Sequence, residues 1–465
     1  MSGGGHSLDR RAFLKLSAAG LLVGSGCAST STSESLVASP LDLRAQGASP
    51  LLDPADVAAL NERHTDFPLG VMSGDVTADR AIVWTRFIGR GDLVLSMRDT
   101  GSDRYVQHDV PIGPDGFTSV DVSGLSPHRS YRYAFLVREA GRLVRRGPSG
   151  RFRTAPEPDA LVPVTFAGTS CTNQFIRPYP ALAHAASRRD LDFFIHAGDH
   201  VYVDWARSLA EVRERYALAW PSWGMKGLHA STSMYATWDD HEVGNNWNPE
   251  NWSPAMLQAA RRAFFEHHPI RRDATRPTKI WRSFKWGRTA EVFVLDSRGE
   301  RLPSTRERAN ATYLSREQMD WLKSGLSRSD ARFKFVVNSV PITSYHGVYD
   351  LLRSDRWEGY PAARHEILDH IVREHIDGVW WLSGDFHFGS ISRLDRDGPY
   401  AHMREVLMGP GRQHLNPFWS WNEGSQFEFL TPANNYVAFR CDPMRNQVEV
   451  TFVGPEGETL VRRVY

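Results

Sequence analysis

The chain has 465 residues, a length that suggests more than one domain or one large domain with insertions. Hydrophobic residues make up 41% and charged residues 23%, which is a globular composition with ample material for a core. The formal net charge of +1 at pH 7 gives no electrostatic reason to expect a nucleic-acid partner.

The N-terminal stretch "DRRAFLKLSAAGLLVGSGCAST" places Arg10 and Arg11 ahead of an apolar run over residues 16–26. This run is too short to span a bilayer as a mature helix, and it follows a charged leader. The stretch resembles a twin-arginine export signal, whose machinery moves folded proteins. We therefore predict that residues 1–30 direct the chain through the twin-arginine export machinery to the periplasm or the extracellular space.

Cys27 follows "LLVGSG", a loose likeness to a lipoprotein cleavage site, and is a candidate for a lipid anchor to the membrane. Residues 31–65 are predicted to be a linker, because the part up to residue 50 is rich in Ser, Ala and Pro.

Residues 66–157 are predicted to form an all-β, immunoglobulin/fibronectin III-like sandwich. Strand-like runs recur with turn residues between them: "RAIVWTRF", "LVLSMR", "RYVQHDV", "FTSVDV", "SYRYAFLV" and "RGPSGRFRTAP". Tyr131 and Tyr133 stand where that fold uses a tyrosine to tie a strand to a loop. The span holds no catalytic cluster, so we expect a structural or lid-supporting role.

Residues 158–465 alternate strand-like and helical stretches, which predicts a layered α/β domain with mixed β-sheets and flanking helices. The strand candidates are "VPVTFAG", "LDFFIHAGD", "MYATWDDHE", "AEVFVLDSR", "FKFVVNSVPI", "DGVWWLSGDFH" and "REVLMGPG", and "NYVAFRC" with "QVEVTFV" is a closing hairpin. The helix candidates are 205–217, 253–267, 315–326 and 361–375. Ser315 and Gln318 are predicted to form a capping box.

Four of these strands end where apolar residues give way to metal-ligand residue types. The residues concerned are Cys171; Asp199 and Tyr202; Asp239, Asp240, His241 and Glu242; and Asp385 and His387. In layered α/β folds, loops converge at the carboxyl ends of strands. Burying several carboxylates there costs several kcal/mol each, as a rough figure, unless a cation offsets the charge. The pattern therefore predicts a metal cluster.

The ligand types indicate which metals would bind. Thiolate and phenolate together favour a trivalent, Lewis-acidic iron, and the oxygen-rich remainder suits a harder ion such as Ca²⁺, Mg²⁺ or Mn²⁺. Asp199 stands between the two groups and is the natural bridging carboxylate. Two such metals promote an in-line displacement at phosphorus and generate a hydroxide nucleophile at neutral pH. The simple alternative for Cys171, a disulfide with Cys441 in an oxidising compartment, would remove a ligand from this set.

The motif order C…GDxxY…WDDHE…LDxR…LSGDxH resembles the PhoD-type alkaline phosphatases, exported relatives of the calcineurin-like metallophosphoesterases. The likeness runs over roughly 161–455 and includes "REQMDWL" (316–322), "VVNSVP" (336–341) and "DRWEGYPAAR" (355–364). It departs at "LDSRGER", where the family usually has an aromatic residue after the LDxR motif. The resemblance implies a metallophosphoesterase-like fold, phosphate esters as substrates, and Fe³⁺ and Ca²⁺ as cofactors, with Mg²⁺, Mn²⁺ or Zn²⁺ as alternatives to calcium.

Carried over by position, the resemblance implies roles for ten residues. The implied iron ligands are Cys171, Asp199, Tyr202 and His387, and the second metal would be held by Asp199, Asp240, Asn245 and Asp385. His241 would act near the leaving-group oxygen, with a core or outer-sphere histidine as the alternative. Arg298, in a catalytic role, and Arg301, in substrate binding, are candidates to clamp the phosphate, with surface salt bridging as the alternative.

These features predict an exported alkaline phosphatase acting on a small-molecule or lipid phosphate ester. A phosphodiesterase or phospholipase D-like enzyme on the same site is the nearer rival. The more distant rival is a cell-surface binding protein in which the β-sandwich binds the ligand and the metals are only structural.

Overall fold

The structure is a computed structural model, and it describes residues 40–43, 52–102, 105–345, 353–421 and 424–465. The predicted export signal, Cys27 and the first part of the predicted linker lie outside these residues. Among the described residues, no helix is both long and apolar enough to cross a membrane.

The described strands are β1 (Leu41–Asp42), β2 (Asn61–Glu62), β3 (Val71–Gly74), β4 (Ala81–Arg86), β5 (Asp92–Asp99), β6 (Val106–Val110), β7 (Phe117–Ser123), β8 (Ser130–Glu139), β9 (Arg142–Arg153), β10 (Val164–Thr169), β11 (Phe193–His196), β12 (Ser233–Ala236), β13 (Arg282–Trp286), β14 (Ala290–Val294), β15 (Phe333–Val337), β16 (Val379–Ser383), β17 (Gly389–Arg393), β18 (Arg404–Leu407), β19 (Phe427–Thr431), β20 (Tyr436–Asp442), β21 (Gln447–Val453) and β22 (Thr459–Val464). The α-helices are α1 (Pro54–Ala59), α2 (Pro180–Ser187), α3 (Leu209–Ala219), α4 (Met225–Ser231), α5 (Pro254–His267), α6 (Arg316–Arg328) and α7 (Pro361–Arg373).

Two large mixed sheets face each other across the main core. One has ten strands in the order β1-β7-β4-β3-β12-β11-β10-β20-β21-β22, and the other has seven in the order β13-β14-β15-β16-β18-β17-β19. Alternate residues of their strands point into the shared core, as Phe166, Phe193 and Phe335 do. This layered arrangement of mixed sheets agrees with the predicted α/β class.

Helices cover the outer face of each large sheet. Residues of α2, α3 and α4 pack on Phe194 and Met234 of the ten-stranded sheet. Residues of α6 and α7 pack on Phe293 and Val336 of the seven-stranded sheet. Because β11, β14 and β15 are apolar on both faces, each is buried between a helix layer and the opposing sheet.

The N-terminal strands contribute to two sheets. β3, β4 and β7 extend the ten-stranded sheet through the parallel pairing of β3 with β12, whereas β2, β9, β8, β5 and β6 form a separate five-stranded sheet. An apolar core that includes Phe67, Val83, Leu95 and Phe135 lies between them. Residues 66–157 contain strands β3 to β9, but three of these strands belong to a sheet that continues into the following segment, so the strands do not delimit a separate sandwich. Residues 54–62, predicted as linker, form α1 and β2.

The four predicted helices are confirmed, with ends within a few residues of the predicted ones, while α2 and α4 were not foreseen. The capping box at Ser315 is half formed. Ser315 Oγ accepts a hydrogen bond from the Gln318 amide at 3.2 Å, but the Gln318 side chain instead binds the backbone of Asp296 and the carboxylate of Glu300. Tyr131 ties strand to loop, because its hydroxyl accepts a hydrogen bond from the Ser126 amide at 2.8 Å.

Candidate metal centre

The strand ends meet at one edge of the two sheets. Thr169, His196 and Ala236, the last residues of β10, β11 and β12, are aligned by the parallel pairing. The opposing sheet brings the segment after β16 to the same edge, where a Cβ on Gly384 would lie 2.5 Å from Ser170 Cβ. Only glycine permits this approach of the two sheets.

Four of the predicted ligands adopt left-handed backbone conformations directly after their strands. The φ angles are +54° at Cys171, +58° at Asp199, +75° at Asp385 and +56° at His387. Non-glycine residues rarely adopt such angles, and they cluster at functional sites, where the surrounding structure holds them. These turns accompany the close approach of the ligand atoms of Cys171, Asp199 and His387.

Cys171, Asp199 and His387 form the first group of ligand atoms, all within 4.8 Å of one another. Tyr202 joins them, since its hydroxyl lies 3.1 Å from Asp199 Oδ2 and 3.2 Å from His387 Nε2. The structure thus brings together the four residues predicted to bind iron. Cys171 and Cys441 are both buried free cysteines, and Cys441 pairs with Val164 at the far end of β10.

Asp199 also belongs to a second group, with Asp240 and His241, and Asp240 belongs to a third, with Asp239 and Asp385. The three groups therefore form one continuous cluster linked through shared carboxylates. Asp239 was noted in the sequence as part of "WDDHE", but no metal-binding role was assigned to it.

The donor atoms fit a cation. Burial, and after it the Asp199 carboxylate, raises the pKa of the Cys171 thiol and of the Tyr202 phenol well above their ordinary values. Burial and the neighbouring Asp239 likewise raise the pKa of Asp385. Among the described residues, Asp239 Oδ2 and Asp240 Oδ1 are buried without a hydrogen-bond partner. A metal ion would satisfy these oxygens and favour the ionised thiol and phenol.

His241 lies at the side of the cluster with one ring nitrogen held. Its Nδ1 is 2.7 Å from Asp204 Oδ1, and its Nε2 is 3.9 Å from Asp240 Oδ1. Burial by itself would lower the pKa of His241, but the carboxylates of Asp240, Asp199 and Asp204 outweigh burial and raise it well above the ordinary value. The ring also packs against Tyr202, with the centroids 4.0 Å apart.

The two arginines predicted to bind phosphate are both fully buried. Arg298 Nε lies 2.6 Å from Asp239, its Nη1 2.5 Å from Asp355 and its Nη2 3.2 Å from Asp385. Arg301 binds the backbone oxygens of Trp247 and Asp355 and the Asp355 carboxylate. The structure therefore places these guanidinium groups in a buried ion-pair network with the carboxylates, whereas the alternative predicted from the sequence was salt bridging at the surface.

Asn245 lies next to the cluster with its side chain exposed. Its backbone amide donates to Asp204 Oδ1 at 2.7 Å, while the following amide, that of Asn246, donates to Asp240 Oδ2 at 2.8 Å. The loop after Asp240 thus orients two carboxylates through its backbone.

Three supporting carboxylates had no role assigned from the sequence. Asp204 orients His241, Asp355 holds both arginines, and Glu242 accepts hydrogen bonds from the amides of His200 at 2.5 Å and Asp239 at 2.9 Å. Asp204 follows "GDHVY" within two residues, and Asp355 opens "DRWEGYP". Their closeness to these motifs is the only feature of the sequence that could have indicated a functional role. The residues that these carboxylates bind are distant in sequence, so closeness to a motif does not identify those partners.

Comparison with known proteins agrees with this geometry. The family model of the PhoD-like phosphatases matches residues 166–411, and the model of their N-terminal domain matches residues 53–156. The chain belongs to the PhoD-like phosphatase family. It is accordingly a phosphoric ester hydrolase, as the sequence predicted.

Relatives of this PhoD-like phosphatase span most of the chain. Alkaline phosphatase D of Bacillus subtilis (strain 168) is 29% identical over 402 residues, covering 73% of this chain and 67% of the relative. The solved structure of PhoD superposes with a TM-score of 0.76 at 24% identity, covering 88% of this chain and 91% of that one. A purple acid phosphatase from yellow lupin (Lupinus luteus) seeds gives a TM-score of 0.62 at 12% identity, with 85% and 73% coverage. The two structures show that the fold is shared.

Proposed function

We propose that this PhoD-like phosphatase is an exported alkaline phosphatase that hydrolyses phosphate esters at a site holding more than one metal. The observation that carries the proposal is the position of Asp199, whose carboxylate is shared by the Cys171–His387 group and the Asp240–His241 group. A carboxylate between two sets of donors is the arrangement that holds two cations close together.

We assign Fe³⁺ to Cys171, Asp199, Tyr202 and His387, because thiolate and phenolate favour a trivalent iron. Ca²⁺ is assigned to the carboxylate side, where Asp199, Asp240 and Asp385 supply oxygen donors and Asn245 is the further predicted ligand. Mg²⁺, Mn²⁺ and Zn²⁺ are the alternatives at that position. When bound, the metals supply Lewis acidity that offsets the charge developing at phosphorus and lowers the pKa of water.

His241 supplies the proton that the leaving-group oxygen takes up as the ester bond breaks. The hydrogen bond from Nδ1–H to Asp204 fixes the tautomer and leaves Nε2 on the side of the metal ligands. The Asp204 carboxylate also favours the protonated ring, so Nε2–H can donate to the leaving-group oxygen as the ester bond breaks. Arg298 pairs with Asp239, Asp355 and Asp385 and holds these carboxylates in position.

The remaining predictions complete the proposal. Residues 66–157 would be an immunoglobulin/fibronectin III-like domain that supports residues 158–465, the catalytic domain. The twin-arginine signal would carry the folded, metal-loaded protein to the periplasm or the extracellular space, with Cys27 as a candidate anchor. Export of the folded chain would keep the Cys171 thiol away from oxidation until iron is bound.

A phosphodiesterase is the second candidate, and the arginines favour it. A phosphate monoester carries one more negative charge than a diester. Arg298 and Arg301 already bind buried carboxylates and carbonyls, so neither arginine is available to bind that additional charge. Rates on p-nitrophenyl phosphate and bis(p-nitrophenyl) phosphate, measured on the same preparation, decide which ester is preferred.

The test is elemental analysis of natively exported protein together with activity before and after chelation. We expect iron and calcium, loss of activity with chelator, and loss of both metals and activity in Asp199→Asn. Asp442→Asn, at the last residue of β20 and far from the metal centre, is the matched control and should retain metals and activity. Full activity in the Asp199→Asn variant would refute the proposal.

A further inference from the structure

A polar pocket lies at the amino ends of β11 and β12. Its volume is about 240 Å³, and its lining includes Leu191, two residues before β11, and Thr232, directly before β12. The predicted ligands Asp199 and Asp240 follow the carboxyl ends of the same two strands, so the length of the strands separates the pocket from the metal centre. None of the candidate metal-binding groups among the described residues lines this pocket.

The pocket is lined by four arginines, Arg132, Arg151, Arg153 and Arg189, and by no acidic residue. We call it the arginine pocket. Arg153 is paired with Asp192, whose carboxylate lies 3.1 Å from Nη1 of the arginine. Among the described residues, no carboxylate forms an ion pair with any of the other three arginines. Three positive charges of the pocket are therefore without a carboxylate partner in this part of the chain.

The pairing of the strands forces two of these arginines together. Arg132 of β8 is the direct partner of Arg151 of β9, and Arg98 of β5 is the partner of Arg132 on its other side. Directly paired residues of antiparallel strands place their side chains on the same face of the sheet, with Cβ atoms about 4.5–5.5 Å apart. Like charges in this position are destabilising. An anion bound between the guanidinium groups would remove the repulsion.

The pocket also contains hydrogen-bond donors that are already held in place. Arg151 Nη2 donates to the carbonyl of Arg188 at 2.8 Å. Burial, followed by the positive charges of two neighbouring arginines, lowers the pKa of Arg151. Two buried polar atoms of lining residues, Arg153 Nε and Thr232 Oγ1, have no hydrogen-bond partner among the described residues. A buried donor without a partner costs free energy, which a ligand that accepts hydrogen bonds would recover.

We propose that the arginine pocket binds a phosphate group. A phosphate dianion offers several acceptor oxygens, and the planar guanidinium group binds two of them at once. The exposed guanidinium groups of Arg132 and Arg189 and the hydroxyl groups of Ser130 and Thr232 would donate to the same anion. A carboxylate is a poorer ligand, because it carries a single charge and has fewer acceptor oxygens.

The inference goes beyond the proposed function, because a phosphate group held in the arginine pocket lies away from the metal ligands and is bound without being hydrolysed. Hydrolysis of a phosphate monoester releases orthophosphate, and hydrolysis of a diester releases a monoester. The product of either activity therefore carries the group that the pocket would bind.

The experiment counts the phosphate bound by the full-length, metal-loaded protein in equilibrium dialysis with radiolabelled orthophosphate. The Arg132→Gln/Arg151→Gln variant should bind one phosphate fewer than the wild type, because the loss of two charged donors weakens binding at the pocket by roughly a hundredfold. Arg138→Gln is the matched control and should bind as many as the wild type. Arg138 lies on the same strand as Arg132, but it is paired with Asp109 at 2.6 Å.

Thermal unfolding establishes that the variants are folded. Without phosphate, the unfolding midpoint of the Arg132→Gln/Arg151→Gln variant should be no lower than that of the wild type, because the repulsion between the arginines is removed. Added orthophosphate should raise the midpoint of the wild type more than that of this variant. Equal counts of bound phosphate in the two proteins would overturn the proposal. A lower count that is accompanied by loss of inhibition by orthophosphate would also overturn it, since the missing phosphate would then be the one at the metal centre.

Competition with unlabelled anions identifies the class of ligand. Methylphosphonate resembles a phosphate monoester but has no ester bond to hydrolyse. Displacement of the labelled phosphate by methylphosphonate would show that the pocket takes a phosphate monoester, and displacement by orthophosphate alone would show that it takes only the free anion. Stronger displacement by citrate than by either of these would overturn the assignment to a phosphate group.

Discussion

Nδ1 of His241 lies 2.7 Å from Oδ1 of Asp204, and the same carboxylate oxygen accepts the Asn245 amide at 2.7 Å. The pair connects the loop after β11 to the loop after β12, and these two loops also carry Asp199 and Asp240. The orientation of the imidazole is thereby fixed relative to the ligands that would bind both metals.

Asp204→Asn is expected to lower kcat by roughly tenfold to a thousandfold, because the amide no longer favours the protonated ring. The loss should depend on the leaving group. Phenyl phosphate, whose leaving oxygen needs a proton, should lose more activity than p-nitrophenyl phosphate. His241→Gln should show the same dependence, and an equal loss on both substrates would indicate that Asp204 is only structural.

Cys171→Ser is expected to remove the visible charge-transfer absorption of an iron thiolate and to lower the iron content. Cys441→Ser is the matched control, since Cys441 is equally buried but lies at the far end of β20 from the metal centre. The charge-transfer absorption and the iron content of the two purified variants are measured by absorption spectroscopy and metal analysis. A colourless wild-type protein with full activity would contradict the iron assignment.

Arg298→Met is expected to lower the free energy of unfolding by about 3–5 kcal/mol, because it leaves the buried carboxylates of Asp239 and Asp385 without their arginine partner, while Asp355 keeps Arg301. Arg316→Met provides the control. Arg316 is 59% exposed and pairs with Asp320 and Glu366, so its loss should cost about 0–1 kcal/mol. Urea unfolding measures the free energy of unfolding of both variants. A raised KM with unchanged stability would show instead that Arg298 binds substrate.

Acid should destabilise the fold through buried histidines that are not among the predicted metal ligands. Burial lowers the pKa of His229 and of His268 from 6.5 to about 3. The folded state therefore keeps these rings neutral while the unfolded chain binds protons below about pH 6.5. The stability that they contribute is complete above pH 6.5 and is lost as the pH falls from 6.5 towards 3, by at most about 5 kcal/mol for each ring.

The measurement is the free energy of unfolding between pH 7 and pH 4 for the wild type and for His229→Gln. The variant should show a shallower slope, because one fewer group is protonated on unfolding. His402→Gln, at an exposed position, is the control. An unchanged slope in the His229→Gln variant would contradict the prediction.

The sequence predicted the strands and the residues that follow them because both are local properties. A run such as "FFIHAG" is apolar on successive residues, so it must be buried on both faces, and the carboxylate that follows can lie only at the edge of the sheet. Helices α5, α6 and α7 were predictable for a similar reason, since a proline or a serine cap marks where each begins.

Contacts between distant segments leave no such local signal. Arg298 follows its strand in a motif that suggests phosphate binding, yet the structure encloses it between Asp239 and Asp355, which lie 59 and 57 residues away. Asp204 resembles any loop aspartate until the fold places it against His241.

The sequence by itself therefore determined which residue types stand at the strand ends and which family the chain resembles. Only the tertiary structure decided that Asp199 lies between two groups of ligands and that the arginines are buried in an ion-pair network with the carboxylates. The physical reason is that strand order and sheet-to-sheet packing, which depend on contacts across the whole chain, determine which loops meet.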